Sequence, residues 1–204
     1  SGFIAIVDTS GAPVERNLLE ALTSSLRCRG PDGQQVWTDG PVGLGHTLFR
    51  TTREAQYENQ PASLDGKVWI TGSIRVDGRE ALVAELGLGT PPSLETTPDS
   101  ELVLHAYQRW GERCLDHLIG DFAFALWDGR QRRLFCARDR FGMRQLYHAR
   151  VGNTVVISNS LNRMRQHPGI SDVMDDKAIA DFLLFGDHIC TDKTQTAFKD
   201  IKTL

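Results

Sequence analysis

Ser1 stands ahead of Gly2, and a hydroxyl in first position has a base of its own. A free α-amine titrates near ~8, so it is able to take a proton from its own side chain at neutral pH. A plainer reading stands beside this one, in which Ser1 is a small residue left after removal of an initiator methionine. Serine is also the weaker nucleophile, because a thiol is partly ionised at neutral pH and a hydroxyl is not. The four cysteines, Cys28, Cys114, Cys136 and Cys190, lie far apart without a C-x-x-C pair. That spacing argues against a zinc site and requires no disulfide framework. His46, in Gly43-Leu44-Gly45-His46, has no neighbour that suggests metal or triad chemistry, so packing is its expected role. Arg138-Asp139-Arg140-Phe141-Gly142 reads as a turn held by ion pairs, with no catalysis assigned. Asp99 suits the first turn of a helix, where the dipole favours a carboxylate.

These residues need elements to position them. Phe3-Ile4-Ala5-Ile6-Val7 is a strand-like apolar run that builds the N-terminus into the core. Leu18, Leu19, Leu22 and Leu26 recur at helical spacing and predict an amphipathic helix over 16–27, ended by the turn Arg29-Gly30-Pro31-Asp32-Gly33. Strands are expected at 35–38, 42–46 and 67–74, each bounded by Gly, Pro or Asp. A helix over 78–86 is broken by the Gly- and Pro-rich stretch 87–92. The next helix has Thr97 as its expected cap, Pro98 in first position, and Leu102, Val103, Ala106, Tyr107 and Trp110 along one face before Gly111. Residues 121–127 and 132–137 predict a hairpin across Asp128-Gly129, followed by a strand over 154–158, a helix over 175–184 and an irregular end. In the first arm of that hairpin Phe122, Phe124 and Leu126 alternate with Ala123, Ala125 and Trp127, so neither face is polar. A strand covered on both faces, in a chain whose crossovers do not alternate regularly, predicts an α+β fold with four layers, αββα.

With 40% apolar and 24% charged residues among 204, the chain has the composition of an ordinary globular domain. A net charge of −3 gives no reason to expect nucleic acid, and the basic stretch 130–144 is broken by apolar residues and Asp139. No apolar run reaches the ~18 to 20 residues of a membrane span and no leader opens the chain, so a cytoplasmic protein without a membrane partner is expected.

Several local patterns, in order over nearly the whole chain, resemble the class II glutamine amidotransferase domain of asparagine synthetases. They are Arg29-Gly30-Pro31-Asp32-Gly33, Gly43-Leu44-Gly45-His46, Gln60-Pro61, Asp99-Ser100-Glu101-Leu102-Val103-Leu104-His105-Ala106-Tyr107 and Trp110-Gly111. Farther on come Cys114-Leu115, the run from Gly120 to Asp128, Ala137-Arg138-Asp139-Arg140-Phe141-Gly142, Tyr147 and the closing stretch from Phe198 to Leu204. The resemblance implies an N-terminal nucleophile hydrolase sandwich that releases ammonia from glutamine. It also implies a second domain that adenylates a carboxylate with ATP and Mg and joins the two as an amide. No Ser-Gly-Gly pyrophosphate loop occurs, so residues 1–190 are expected to be the amidotransferase-like domain and 191–204 the start of a linker to a synthetase domain. No cofactor or metal is expected in this domain itself, and a homodimer is left open.

Carried over residue by residue, the resemblance puts Ser1 where the family has a nucleophilic cysteine. Thr71-Gly72-Ser73 replaces its Asn-Gly-Glu, whose Asn side chain and Gly N–H form the oxyanion hole. Leu48 replaces the arginine that holds the glutamine carboxylate, with Arg50 on the same side of an extended segment as a partial substitute. Asp99 matches the aspartate that binds the substrate ammonium, and Phe49 and Ser73 complete the expected substrate-binding set. Three readings follow. Ser1 serves an active glutaminase feeding asparagine synthesis; or the domain is degenerate and kept for its fold in a related amide ligase, such as a β-lactam synthetase or lasso peptide cyclase; or it is a binding or dimerisation module. The joint change at Ser1, Leu48 and Thr71, in three separate segments that serve one activity, favours the second.

Overall fold

Phe3-Ile4-Ala5-Ile6-Val7 forms the heart of strand β1 (Gly2–Asp8), and being apolar on both faces it lies in the middle of a sheet covered on both sides. The computed structural model describes residues 1–88, 94, 96–186 and 192–204. After β1 come α1 (Arg16–Ser25), β2 (Gly33–Asp39), β3 (Val42–Leu48), β4 (Val68–Asp77), α2 (Arg79–Leu86) and α3 (Asp99–Trp110). Then follow β5 (Ile119–Asp128), β6 (Arg133–Arg138), β7 (Tyr147–Val151), β8 (Thr154–Ser158), the one-turn α4 (Leu161–Met164), α5 (Asp176–Phe185) and β9 (Ile201–Thr203). Among the described residues the strands form two antiparallel sheets, ordered β2-β3-β1-β8-β7-β9 and β4-β5-β6.

The pleat sorts β1 and β5 into opposite core layers. Ile4 and Ile6 pack with Leu19, Leu22 and Leu26 on the α1 side. Phe3, Ala5 and Val7 face the second sheet, where they meet Ala123, Ala125 and Trp127. Phe122, Phe124 and Leu126 turn the other way, onto Leu82, Val83 and Leu86 of α2 and Leu102, Val103 and Ala106 of α3. Three core layers separate four structural layers, the αββα order expected from the alternation in β5. The Gly-x-Gly of β3 also has a packing cause. A Cβ on Gly45 would lie 2.0 Å from Thr23 Oγ1 and 3.1 Å from Ile4 Cγ2, so a side chain there would lift α1 off the sheet.

Several local expectations change. The first helix closes at Ser25 and tightens into a 3₁₀ turn over Leu26–Arg29. Thr97 is not the cap of α3: Pro98 takes that place in extended conformation and the helix starts at Asp99. The β5–β6 hairpin does not turn on Asp128-Gly129, because Asp128 pairs with Arg133 and leaves 129–132 as the loop. Asp128 shapes that loop by accepting the backbone N–H groups of Arg130 (2.9 Å) and Gln131 (3.2 Å), while the Tyr107 hydroxyl donates to its other oxygen. The segment expected to be irregular contains β9, which pairs with β7. Cys190, residues 89–92 of the expected break and the boundary at 190/191 lie outside the described residues.

Candidate active site

The central position of β1, between β3 and β8, delivers Ser1 to one end of the sandwich. Asn159, just past β8, clamps it there: its Nδ2 donates to Ser1 O at 3.0 Å and its Oδ1 accepts from Phe3 N at 3.1 Å. The Ser1 hydroxyl oxygen accepts from Phe49 N at 3.1 Å, which leaves its own proton free to move. Partial burial, reinforced by the positive charges of Arg29 and Arg144, draws the Ser1 α-amine down from 8.0 to about 6. At neutral pH the amine is therefore largely unprotonated and able to act as a base.

A cavity of about 200 Å³ opens at this end. It gathers Ser1, Leu48, Phe49, Gly72, Ser73 and Asp99, which come from β1, the end of β3, the middle of β4 and the start of α3. Thr71 and Arg50 are not among its lining residues. Thr71 is fully buried and faces the other sheet, where its hydroxyl donates to Gly45 O at 3.1 Å. Arg50 is held away by Asp32, through its backbone N–H to Oδ2 at 2.8 Å and its guanidinium to the Asp32 carbonyl at 3.0 Å. The expected rescue of the Leu48 position by Arg50 therefore lacks the geometry it needs. Gly72 presents a backbone N–H at the cavity, but the Gln60 side-chain oxygen accepts from it at 2.6 Å. A Cβ on Gly72 would lie 2.6 Å from Phe124 Cβ, so only glycine fits between β5 and the site.

His46 is not a ligand or a base. It is buried, and because Gly72 O at 3.1 Å is only an acceptor, Nε2 must carry the proton. Burial, then the Ser1 α-ammonium, push its pKa from 6.5 down to about 3, so it is neutral under ordinary conditions. The 138–142 turn is held differently from the ion pairs expected: the Asp139 carboxylate accepts the backbone N–H groups of Met143 and Arg144, each at 2.9 Å.

Sequence reading also passes over groups that set the cavity's charge. Arg144 and Glu58 both line it. The Ser100 hydroxyl donates to Glu58, and burial raises that carboxyl above its usual range. Arg79 forms an ion pair with Asp99 and donates to Leu94 O at 2.8 Å. The side chains of Arg79 and Asp99 are only 17% and 7% exposed, so removing the arginine strands a buried carboxylate. Arg79→Ala should cost about 3 kcal/mol, the low end for a broken buried pair because Arg79 keeps some solvent. Arg79→Ala combined with Asp99→Ala should recover part of that loss. Urea denaturation of the single and double variants measures both, and a single variant as stable as the parent would show that Arg79 adds no net stability through Asp99.

A cavity at the end of an αββα sandwich, beside the residue that leads into a central strand, fits a domain of the N-terminal nucleophile hydrolase type. The sequence matches the glutamine amidotransferase domain family over residues 1–204, and the chain belongs to that family. Asparagine synthetase (glutamine-hydrolyzing) 3 of Bacillus subtilis (strain 168) is 28% identical over 182 residues, covering 84% of this chain and 28% of that protein. Asparagine synthetase (glutamine-hydrolyzing) 2 of the same organism is 25% identical over 183 residues, covering 89% of this chain and 24% of that protein. The chain thus spans roughly a quarter of the length of these relatives. In fold it is similar to the glutamine phosphoribosylpyrophosphate amidotransferase from B. subtilis complexed with ADP and GMP, with a TM-score of 0.64 at 18% identity over 80% of this chain and 43% of that one. The domain is accordingly a class II-type glutamine amidotransferase domain of the asparagine synthetase-like group. No helix among the described residues is long and apolar enough to cross a membrane.

Proposed function

We propose that this domain belongs to an ATP-dependent amide ligase of asparagine synthetase type and that its glutamine-hydrolysing site is degenerate. The observation that carries this reading is Thr71. Hydrolysis needs donors aimed at the oxygen that becomes negative in the transition state. Thr71 spends its hydroxyl on Gly45 O in the opposite sheet, and the N–H of Gly72 already faces the Gln60 carboxamide. Loss of one such donor costs roughly 100- to 1000-fold in rate. Leu48 removes the anchor as well, since exchanging a guanidinium for an isobutyl group forfeits a charge-assisted bond to the substrate carboxylate of about 1.5 to 3 kcal/mol. In this reading the chemistry belongs to a C-terminal synthetase domain, which would hold ATP and Mg, and the polypeptide works in the cytoplasm.

One observation favours the alternative of a working amidotransferase with Ser1 as nucleophile supplying ammonia: an α-amine drawn to about 6 stands beside a hydroxyl whose proton is free to move. Ammonia release from glutamine decides between the two, measured on protein whose first residue has been verified as Ser1 by mass spectrometry. Release at the buffer rate, unchanged by Ser1→Ala, is the expected result. Turnover that Ser1→Ala abolishes, or tight glutamine binding by calorimetry, establishes the alternative.

A further inference from the structure

α5 holds no buried residue. Its last turn carries Leu183 at 76% exposure, Leu184 at 74% and Phe185 at 58%. Successive helical residues point about 100° apart, so these three side chains cover more than half of the helix circumference. An apolar stripe suits a helix that lies on a surface, whereas a turn apolar over most of its circumference suits one that is enclosed. The other end of α5 is firmly rooted. Asp175 caps it by accepting from Lys177 N and Ala178 N, Asp175 N donates to Ala197 O at 2.9 Å, and Lys199 pairs with Asp176 at 3.3 Å. Val173 and Met174, both exposed, extend the apolar surface back to that root.

We propose that the tip of α5 is the docking element for the C-terminal domain and that it enters an apolar groove on that domain. The inference rests on the ligase reading above. Three observations select this occupant. The curated relatives are far longer than this chain, which spans 28% and 24% of the two described above. The root of α5 lies against residues 197–199, which lead directly into the three-residue edge strand β9, so polypeptide continuing past Leu204 leaves one short strand, roughly 10 Å, from that root. The polar positions of α5, Asp176, Lys177 and Asp181, carry more acid than base, which disfavours an anionic lipid surface. A second copy would fit less well. Two identical tips side by side cover one flank of each turn and leave the others in water, whereas a groove covers several flanks at once.

Hydrogen exchange on the full-length polypeptide tests this, comparing the parent with the Leu183→Asp, Leu184→Asp double variant. The amides of residues 183–185 should exchange at least about tenfold more slowly in the parent, and limited proteolysis between the domains should be faster in the variant. Exchange at the rate of an exposed helix end in the parent overturns the proposal. Protection that disappears on dilution, together with a dimer-to-monomer change in sedimentation, also overturns it, in favour of a second copy. Photo-crosslinking from position 184 in an otherwise unchanged chain keeps the test open if the double variant does not fold: adducts to residues beyond 204 support the groove, and adducts to another copy do not. A full-length sequence without any further domain defeats the ligase reading itself, a failure visible before exchange is measured.

Discussion

Ammonia release from glutamine should appear when Ser1→Cys, Leu48→Arg and Thr71→Asn are combined, and Ser1→Cys alone should stay within about tenfold of background. The geometry says why the three must act together. The Ser1 amine, largely unprotonated at neutral pH with its pKa at about 6, can take the proton of a thiol in its place as that thiol attacks, so the attack step is the easiest to restore. A thiolate still needs a substrate held in a near-attack pose and a home for the developing oxyanion. Leu48 lines the cavity, so an arginine there directs its guanidinium to where a carboxylate can be held. Thr71 faces the opposite sheet through Gly45 O, and an asparagine must reach farther towards the cavity beside Gly72 while giving up that bond, worth about 1 kcal/mol. The Gln60 carboxamide on Gly72 N–H is a neutral acceptor, and a charged oxyanion competes with it on favourable terms. A functioning donor pair should therefore add two to three orders of magnitude over the single variant, roughly the scale of one oxyanion donor. A steady-state ammonia assay on folded, correctly processed variants measures it. A single variant as active as the triple would show that Leu48 and Thr71 are tolerated and that only the thiol is missing. A folded but inert triple variant would show that the pocket has been reused, and would favour the binding-module reading.

What the sequence disclosed about the fold follows from how strongly each element is constrained locally. β1 and β5 are apolar on both faces, α3 has a clear apolar stripe, and each of these was legible from pattern. β7 went unread although Tyr147, Ala149 and Val151 alternate with His148 and Arg150 as a half-buried strand should, and three-residue β9 exists only by pairing with β7. The site divides in a similar way. Ser1, Leu48, Phe49, Gly72, Ser73 and Asp99 carry local motifs, and the fold brings all six to one cavity. Whether Thr71 faces that cavity or the other sheet depends on the pleat of β4 against β5, which a motif does not encode. Arg50 was expected to face the Leu48 position, but Asp32, in the turn just ahead of β2, lies beside Leu48 and draws the arginine to itself, a pairing that only the β2–β3 register creates. Arg79, Arg144, Glu58 and Asn159 reach the site from segments far apart in the chain, and each is polar in a context that reads as ordinary surface. Gln60 offered the one usable signal, since it stands in a quoted motif and sits on the Gly72 donor.

Acidification should destabilise this domain through His46 before its carboxylates matter. His46 is buried and neutral, with its pKa lowered from 6.5 to about 3, first by burial and then by the charge of the Ser1 α-ammonium. A base whose folded pKa is depressed binds its proton more readily in the unfolded chain, so stability is full above pH 6.5 and falls as pH drops from 6.5 towards 3. One site shifted in this way costs about 2 kcal/mol between pH 7 and pH 5, and the loss continues until the folded histidine itself takes a proton. The Ser1 amine, depressed from 8.0 to about 6, moves in the same direction over a higher window and is largely charged below pH 6, where its repulsion adds to the burden on His46. His46→Gln separates this effect from other titrations, because the carboxamide can still donate to Gly72 O but takes no proton in this range. Between pH 7 and pH 5 the denaturation free energy should fall by about 3 kcal/mol in the parent, of which about 2 belongs to His46, and by only about 1 kcal/mol in the variant, where the Ser1 amine alone remains. Parallel curves would mean that protonated His46 finds a partner or water on the way down. The expected divergence would also connect pH to the site, because the carbonyl that His46 holds belongs to Gly72, whose N–H is the backbone donor at the cavity.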